Sequence, residues 1–404
     1  MAVLRVDHVV RPYAWGSPTA IPDLLGLPQT GTPVAEVWLG AHSSGSARVG
    51  RGEEDQGISL RDVIARDPAT TLGDPEATEL PFLLKVLGVA HPLSLQVHPS
   101  PEQARLGFAR EEAAGIPIDA QDRSYKDPYP KPEMLYALSS FEALIGFRRP
   151  EVIRAALAPL VSQSTLAGAL LEALSGTGRE GLKRALAIAL AGPEAGPEAI
   201  TSFVQACRRM VGQTTDDPAA YALPVTLAKR YPQDRALAVV LMMNHVSLAP
   251  GESVYLPAGV LHSYQRGLGV EVMAPSDNVL RAGFTPKHVD TEQVLEMVDF
   301  SNQVPVRPAV VREGAARVIR PPSGIFQLAD IRMDGGTYES SFTGPRIALV
   351  LEGQLTAFTD YGVMHVSRGQ GLFAMAAESP MSWRGQGRVM LVSPGSGLQL
   401  PHPA

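Results

Sequence analysis

Residues Pro250–Gly267 read PGESVYLPAGVLHSYQRG: a turn, a short apolar strand, a second turn, and a strand that opens on His262. Strands this short, punctuated by Gly and Pro, belong to antiparallel structure rather than to βαβ units. The rhythm recurs downstream. Aligned without gaps, Arg368–Gly385 (RGQGLFAMAAESPMSWRG) sets Gly369 against Gly251, Ala376 against Ala258, Arg384 against Arg266 and Gly385 against Gly267. The identities are few, and the shared turn–strand–turn–strand order carries more weight than they do. Where the first copy has His262 the second has Pro380, whose side chain cannot bind a metal. The repeat predicts two related barrels, only one of them equipped for chemistry.

Outward from this stretch the chain falls into four segments. Residues 235–304 hold the first copy, with strand texture from "ALAVVLMMNHVSLAP" onward and a helix at "DTEQVLEMVDF". Residues 305–404 carry their own strand set, "GIFQLADIRM", "RIALVLEGQLTAF", "GVMHVSRGQGLFAM" and "RVMLVSPG", which reads as a separate all-β domain. Residues 150–234 are rich in Ala and Leu at helical spacing. The stripe Leu182, Leu186, Leu190 marks a packing face, and Pro150, Pro193 and Pro197 mark helix starts or breaks. Residues 1–149 return to short strands: "AEVWLGAH", "PFLLKVLGV", "LSLQVH" and "EMLYAL". The expected fold is mainly β with a helical insertion: two jelly-roll barrels, the first split by an α-helical domain that lids or buttresses it.

Bulk properties limit the function. A chain of 404 residues exceeds one ordinary core, and 45% hydrophobic with 19% charged residues describes a globular protein. A net charge of −6 offers no general attraction for nucleic acid or anionic lipid. An anionic ligand therefore needs positive charges gathered locally. The single cysteine, Cys207, excludes an intrachain disulfide and a cysteine-rich zinc finger. "MAVLRVDHVVRPYAWGS" has no apolar signal region, and no apolar run approaches the roughly 20 residues of a membrane span. The expectation is a cytoplasmic monomer with a small-molecule substrate, binding neither nucleic acid nor membrane.

Among nine histidines, His8, His288, His365 and His402 lie beside polar or turn residues, and His91 sits in a turn. His98 and His262 differ, because each follows an apolar run and precedes a turn-prone or polar stretch. In "LSLQVHPSPEQ" strand alternation puts Gln96 and His98 on one face and Leu95 and Val97 on the other. "YPKPEMLYAL" starts an apolar strand on Glu133, and a carboxylate entering a core needs a partner. That partner is either Lys131 or an arginine in a plain salt bridge, or a metal. Gln96, His98, Glu133 and His262 together offer two nitrogens and two oxygens, a set that suits zinc or a similar divalent ion with room for water or substrate.

Six stretches, "YAWGS", "AEVWLGAH", "LPFLLKVLGVAHPLSLQVHP", "KPEMLYAL", "FEALIGFR" and "YLPAGVLHSYQRGLGVEVMAPSDNVLRAGFTPK", are similar in sequence and order to the type I mannose-6-phosphate isomerases, zinc-dependent cupins. The resemblance covers both β portions around the helical insertion and is weak in the helices and the last domain. It implies a cupin fold and one Zn²⁺ per chain held by Gln96, His98, Glu133 and His262; with the repeat, the expectation is two cupin-like barrels, the second without metal. It implies a catalytic Arg281 and a substrate pocket lined by Lys85, Ser94, Lys131, Tyr264, Glu271, Asp277 and Lys287. The activity implied is reversible interconversion of mannose 6-phosphate and fructose 6-phosphate, within carbohydrate metabolism leading to GDP-mannose. One departure stands out: the family commonly has Asn-His before "KPEM", and this chain has Tyr129-Pro130.

These residue types suit that chemistry. Moving a proton between C1 and C2 through an enediol or enediolate builds negative charge on the substrate oxygens. A divalent ion with an open position and Arg281 both oppose that charge. Glu271 and Lys131 are both candidates for the base. Lys85, Lys287 and Arg281 are the cations for the phosphate, with Ser94 donating a hydrogen bond. The competing readings are a cupin dioxygenase, which usually presents His-x-His rather than Gln-x-His, and a two-barrel storage or sugar-sensing protein.

Overall fold

The computed structural model describes residues 3–396 apart from 54, 177, 214–217 and 302–303, so His402 lies outside the described residues. The described strands form two large antiparallel sheets, of ten and nine strands, and a ribbon of Ala41–His42 with Gly45–Ser46.

The ten-stranded sheet is organised by one long strand, His262–Met273. It pairs with Phe141–Phe147, Leu83–Val89 and Glu133–Ala137, and His262 also pairs with Gln96 of Leu95–Val97. A strand with this many partners must bend, and it does so where the pairing with Phe141–Phe147 skips Gln265. Gly267 follows at φ 137°, where a Cβ would meet Phe141 at 2.6 Å. The extra residue also changes which face points inward. Tyr264 and Glu271 are an odd number of residues apart, yet both line one cavity.

Helices Pro150–Leu157, Thr165–Ala173, Gly178–Ala191, Pro197–Met210 and Pro218–Leu227 pack on the outer side of this sheet. Leu182, Leu186 and Leu190 share one core with Leu95, Val97, Leu280 and Ala282. Packing the odd positions of Leu95–Val97 and the even positions of Leu280–Gly283 against helices turns Gln96 and Arg281 the other way, into the cavity.

The structure corrects three expectations. The strand expected from Ala236 begins at Met243: Ala236–Val239 is α-helical and Val240–Met242 a 3₁₀ turn. All seven residues are buried among helices, and a continuous apolar run has no period to distinguish strand from helix. The N-terminal segment carries helices Leu60–Arg66 and Pro101–Ala113 where only strands were expected. Both were capped in the sequence, the second by a full capping box in which Ser100 and Gln103 each accept from the other's backbone N–H. Finally, Val3–Asp7 does not join the sheet of its own segment. It pairs with Gly371–Ala374 on one side and Arg48–Val49 on the other, so both of these N-terminal strands belong to the nine-stranded sheet.

That second sheet contains Phe326–Glu339, Arg346–Thr359 and Ser382–Pro394 as its long central strands. It is not free-standing. Ile319, Phe326, Leu328, Ile347, Leu349, Phe373 and Met390 share a core with Leu84, Val86, Met134, Tyr136, Val270 and Val272 of the first sheet. Across this core Tyr136 donates a hydrogen bond to buried Asp330 at 2.6 Å, and Arg388 grips the same carboxylate at 2.7 and 3.1 Å. The sequence repeat has a backbone counterpart. Gly251 and Gly369 adopt φ 90° and 84°, Gly267 and Gly385 adopt 137° and 129°, and the four-residue strands Ser253–Leu256 and Gly371–Ala374 align.

Candidate metal centre and active site

Three strand ends converge on a point inside the first sheet. His98 follows Leu95–Val97, Glu133 opens Glu133–Ala137, and His262 opens the long strand. Ligand atoms of His98, Glu133 and His262 all lie within 4.8 Å of one another, and all three residues are buried. Each imidazole is fixed through Nδ1: His98 donates to the carbonyl of Asn278 at 2.8 Å, and His262 to that of Val260 at 2.9 Å. That tautomer leaves a lone pair on each Nε2. His98 Nε2 faces Glu133 Oε1 at 3.3 Å, and His262 Nε2 faces Glu133 Oε2 at 3.6 Å. His98 Nε2 and Glu133 Oε2 are buried with no hydrogen-bond partner. Lone pairs facing lone pairs in a dry interior repel unless a cation sits between them.

Electrostatics preserve that arrangement. Burial holds His98 below its ordinary value, and burial with the neighbouring His98 pushes His262 down to about 4, so both rings stay neutral. Burial alone would raise Glu133, but the Lys131 charge beside it opposes burial and the carboxyl is held below the usual range. The salt bridge to Lys131 exists, at 3.3 Å, yet it reaches only Oε1 and leaves Oε2 unpartnered.

Gln96 lies beside the cluster, its amide nitrogen donating to His262 Nε2 at 3.3 Å while its oxygen accepts from Ser94 at 3.4 Å. A half turn of the amide would present the oxygen to an ion without changing the side chain's shape. Arg281 is the cross-strand neighbour of Gln96, and His262 lies on the other side, so the three stand in one row.

A cavity of about 580 Å³ opens from the cluster. Its deep wall is a second row, Trp38, Lys85 and Glu271, across three paired strands. Lys85 Nζ sits 3.2 Å from Glu271 and 4.9 Å from the centre of the Trp38 ring. Burial would lower Lys85, but the carboxylates of Glu271 and Glu36 hold it above its ordinary value. Glu271 is pushed up to about 7 by burial and by Glu133, with Lys85 opposing. Burial, Glu271 and Glu133 raise the Tyr264 hydroxyl well above its usual value.

Arg281, Lys287 and Asp277 occupy the mouth, which continues into an outer chamber of about 660 Å³. Among the described residues no carboxylate pairs with Arg281 or Lys287, and Lys287 is held below its ordinary value first by Arg281 and then by burial. The three proposed phosphate cations therefore do not share one place: Lys85 is committed to Glu271 at the deep end, while Arg281 and Lys287 stand at the mouth.

The family model for phosphomannose isomerase type I, catalytic domain, matches residues 3–150. Over 409 aligned residues the chain is 36% identical to the mannose-6-phosphate isomerase of Escherichia coli, covering 96% of this chain and 98% of that protein. The chain belongs to the type I mannose-6-phosphate isomerases. The rat mannose-6-phosphate isomerase is 31% identical over 93% of this chain and 94% of its own length. A crystal structure of mannose 6-phosphate isomerase described as holo and zinc-bound superposes with a TM-score of 0.87 at 33% identity, over 98% of this chain and 100% of that one. The apo form from Salmonella typhimurium gives 0.86 at 33% identity over the same shares. Membership sets aside the dioxygenase and storage readings.

Several lining residues of this isomerase escaped the sequence reading. His42 is buried at the cavity wall, edge-on to Trp38, with Nε2 3.6 Å from Asp277; burial pushes it down to about 4 despite Asp277. Its signal was available, since it ends an apolar strand before a turn as His98 does. Arg230 and Tyr231, beyond the last long helix, reach the cavity from the insertion, where Tyr231 donates to the carbonyl of Pro92 at 3.1 Å. Nothing local in "LAKRYPQD" announces that. Lys126 lines the outer chamber. Tyr129, at the departure from the family pattern, acts through its backbone: its carbonyl accepts from Ser276 at 3.2 Å and Asn278 at 2.9 Å.

Proposed function

We propose that this isomerase interconverts mannose 6-phosphate and fructose 6-phosphate with one zinc ion held by Gln96, His98, Glu133 and His262. The observation that carries the reading is the buried trio with two neutral imidazoles aimed at one carboxylate and two unpartnered polar atoms. Two nitrogens and a carboxylate oxygen, with the Gln96 amide beside them, fit a small divalent ion. When bound, zinc supplies a Lewis acid for the substrate oxygens at no redox cost.

The chain's own residues do the rest. Arg281 and Lys287, unpaired at the mouth, take the phosphate, and Arg281 also reaches the oxygens that gain charge because it stands next to Gln96. Ser94 and Tyr264 donate hydrogen bonds to the sugar along one wall, and Asp277, facing His42, orients it at the mouth. Glu271 is the base between C1 and C2 in this reading. A carboxylate pushed up to about 7 can take and return a proton near neutrality, whereas the Lys131 ammonium is engaged by Glu133. Lys85 then tunes Glu271 rather than binding phosphate. Burial of the Trp38–Lys85–Glu271 row keeps water from the enediolate.

We read the two sheets as cupin jelly rolls, the catalytic one interrupted by the helical insertion, in agreement with the matched glycines of the repeat. The protein is read as a cytoplasmic monomer; among the described residues no helix is long and apolar enough to cross a membrane. The deciding experiment strips the protein with a chelator, reloads zinc, and follows metal content beside coupled detection of fructose 6-phosphate. Zinc-dependent turnover of mannose 6-phosphate is expected. Full turnover by metal-free protein, or stoichiometric zinc without turnover, overturns the reading.

A further inference from the structure

Asn278 is buried beside the candidate centre, and its side chain uses every hydrogen-bonding capacity it has. Its Oδ1 accepts from the backbone N–H groups of Lys126 at 2.7 Å and Asp127 at 3.3 Å. Its Nδ2 donates to the carbonyls of Asp127 at 2.7 Å and Tyr129 at 2.9 Å, and to Asp127 Oδ1 at 3.2 Å. Its own carbonyl is the acceptor that fixes the His98 ring through Nδ1. The side chain thus grips the segment that runs, within a few residues, into Glu133, while the backbone of the same residue aims His98.

The strands carrying these two groups do not pair with each other. Leu95–Val97 pairs with His262 and Leu280–Gly283, and Glu133–Ala137 pairs with Ser253–Leu256 and the far half of the long strand. No direct ladder pairing therefore links His98 to Glu133: through the long strand they are joined only from its first residue, His262 opposite Gln96, to its last, Met273 opposite Glu133. Asn278 spans that gap. Asp127 reinforces it by accepting from Ser276 Oγ at 2.8 Å, Asp277 N–H at 2.9 Å and Tyr129 N–H at 3.0 Å.

We propose that Asn278 is a positioning residue for the metal, holding the His98 nitrogen and the Glu133 carboxylate at one spacing. The inference rests on the reading that His98 and Glu133 bind the ion. Freed of the side-chain clamp, the Asn278 carbonyl shifts, the His98 ring turns with it, and the loop before Glu133 loosens. Partners that orient metal ligands in this way are typically worth about 10–100-fold in metal affinity.

The test measures zinc affinity by competition with a chromophoric chelator, zinc release rate, and thermal midpoint of the metal-free protein. Asn278→Ala should weaken zinc about 10–100-fold and speed its release, with excess zinc restoring turnover at an unchanged KM for mannose 6-phosphate. A comparison variant separates positioning from general destabilisation. Arg346→Met removes a buried guanidinium that donates to the carbonyls of Phe342, Ser379, Met375 and Glu378 in the second sheet. It should lower the thermal midpoint and leave zinc affinity alone. If Asn278→Ala does not fold, Ser276→Ala carries the test. It removes the hydroxyl that donates to Asp127 and accepts from the Asn278 N–H at 3.2 Å, and should weaken zinc in the same direction. Folded variants that bind zinc as tightly as the parent overturn the proposal. His98→Ala in the same series isolates the underlying reading: tight zinc binding by that variant sinks the ligand assignment itself, whatever Asn278 does.

Discussion

Replacing Lys85 by Met tests the base assignment, because it removes a charge while keeping an unbranched side chain of similar length. In the parent, Lys85 Nζ lies 3.2 Å from Glu271 and counteracts the burial and the Glu133 charge that together push Glu271 up to about 7. Loss of an opposite charge at this distance raises a carboxyl by about 1–3 units. At pH 7.5 a group titrating at about 7 is about three-quarters ionised; one unit higher leaves about a quarter, and two units about 3%. If ionised Glu271 is the base, kcat/KM at pH 7.5 should fall about 3-fold for one unit, about 25-fold for two and about 240-fold for three. The direction follows from the sign of the shift. The working form is the deprotonated one, so activity is lost as pH falls, and a raised value moves the acid limb of the profile toward alkali. The assay is the pH profile of kcat/KM for mannose 6-phosphate, from pH 5.5 to about 10, on protein with verified zinc content. Recovery of activity near pH 9.5 is the expected signature. A loss of the same size at every pH, with the acid limb in place, would refute the reasoning and make Lys85 a direct substrate contact.

Other outcomes follow from the same geometry. His262→Ala should lose both zinc and turnover, measured by metal analysis and coupled assay, because the two remaining members of the buried trio hold the ion poorly. Arg281→Ala should keep its zinc but lower kcat by about 10²–10³, the usual loss for a well-placed charge stabiliser; a raised KM with unchanged kcat would make it a phosphate anchor only. Tyr136→Phe should cost about 1.5–3 kcal/mol in denaturant unfolding, the range for a hydrogen bond to a charged group, with zinc affinity unchanged. Asp330, held below its ordinary 3.8 because Arg388 and Tyr136 outweigh burial, stabilises the fold above that pH, and the contribution fades as pH falls through its lowered value. Acid unfolding followed by circular dichroism should therefore begin at higher pH in Tyr136→Phe.

Much of the architecture was legible because it was written in periodicities. The Leu182, Leu186, Leu190 stripe marked a helical face, and the alternation in "LSLQVH" put Leu95 and Val97 on the face opposite Gln96; the structure packs that face against helices. Two of the failures had no period or no local cause. "ALAVVLMM" is apolar throughout, so its helix is set by the surrounding helices and not by the run itself. The strand Val3–Asp7 belongs to the far sheet because of where Gly371–Ala374 needs a partner, which no local pattern encodes. The candidate centre was more legible than its pocket. His98, Glu133 and His262 stand at strand ends, where sequence reading looks for ligands. Arg230 and Tyr231 reach the cavity only through the packing of a helical segment that is remote in sequence from every other lining residue.

The two sheets share the backbone of the repeat and differ in side chain at the position of His262. The identities that survive between the copies include Gly251 with Gly369 and Gly267 with Gly385, and both pairs have positive φ. A Cβ at Gly267 would strike Phe141 at 2.6 Å, and one at Gly385 would strike the carbonyl of Gln354 at 2.6 Å. Gly267 and Gly385 thus meet the backbone requirements of a long strand, and Gly251 and Gly369 those of the turns before Ser253–Leu256 and Gly371–Ala374, and they report nothing about function. Side chains at other matched positions are free to differ so long as these glycines are kept. At the position of His262 the second copy has Pro380 in the turn before its long strand, where the ring lacks a lone pair to offer. The second sheet fills one face with its own apolar core, including Ile331, Val350, Trp383 and Leu391, and turns the other to the first sheet, where Phe326, Leu328 and Met390 share a core with Met134 and Tyr136, the neighbours of Glu133 on its own strand. Glu133 therefore points toward the cavity from a strand whose opposite face is pinned by the second sheet, which supports the candidate centre through that strand.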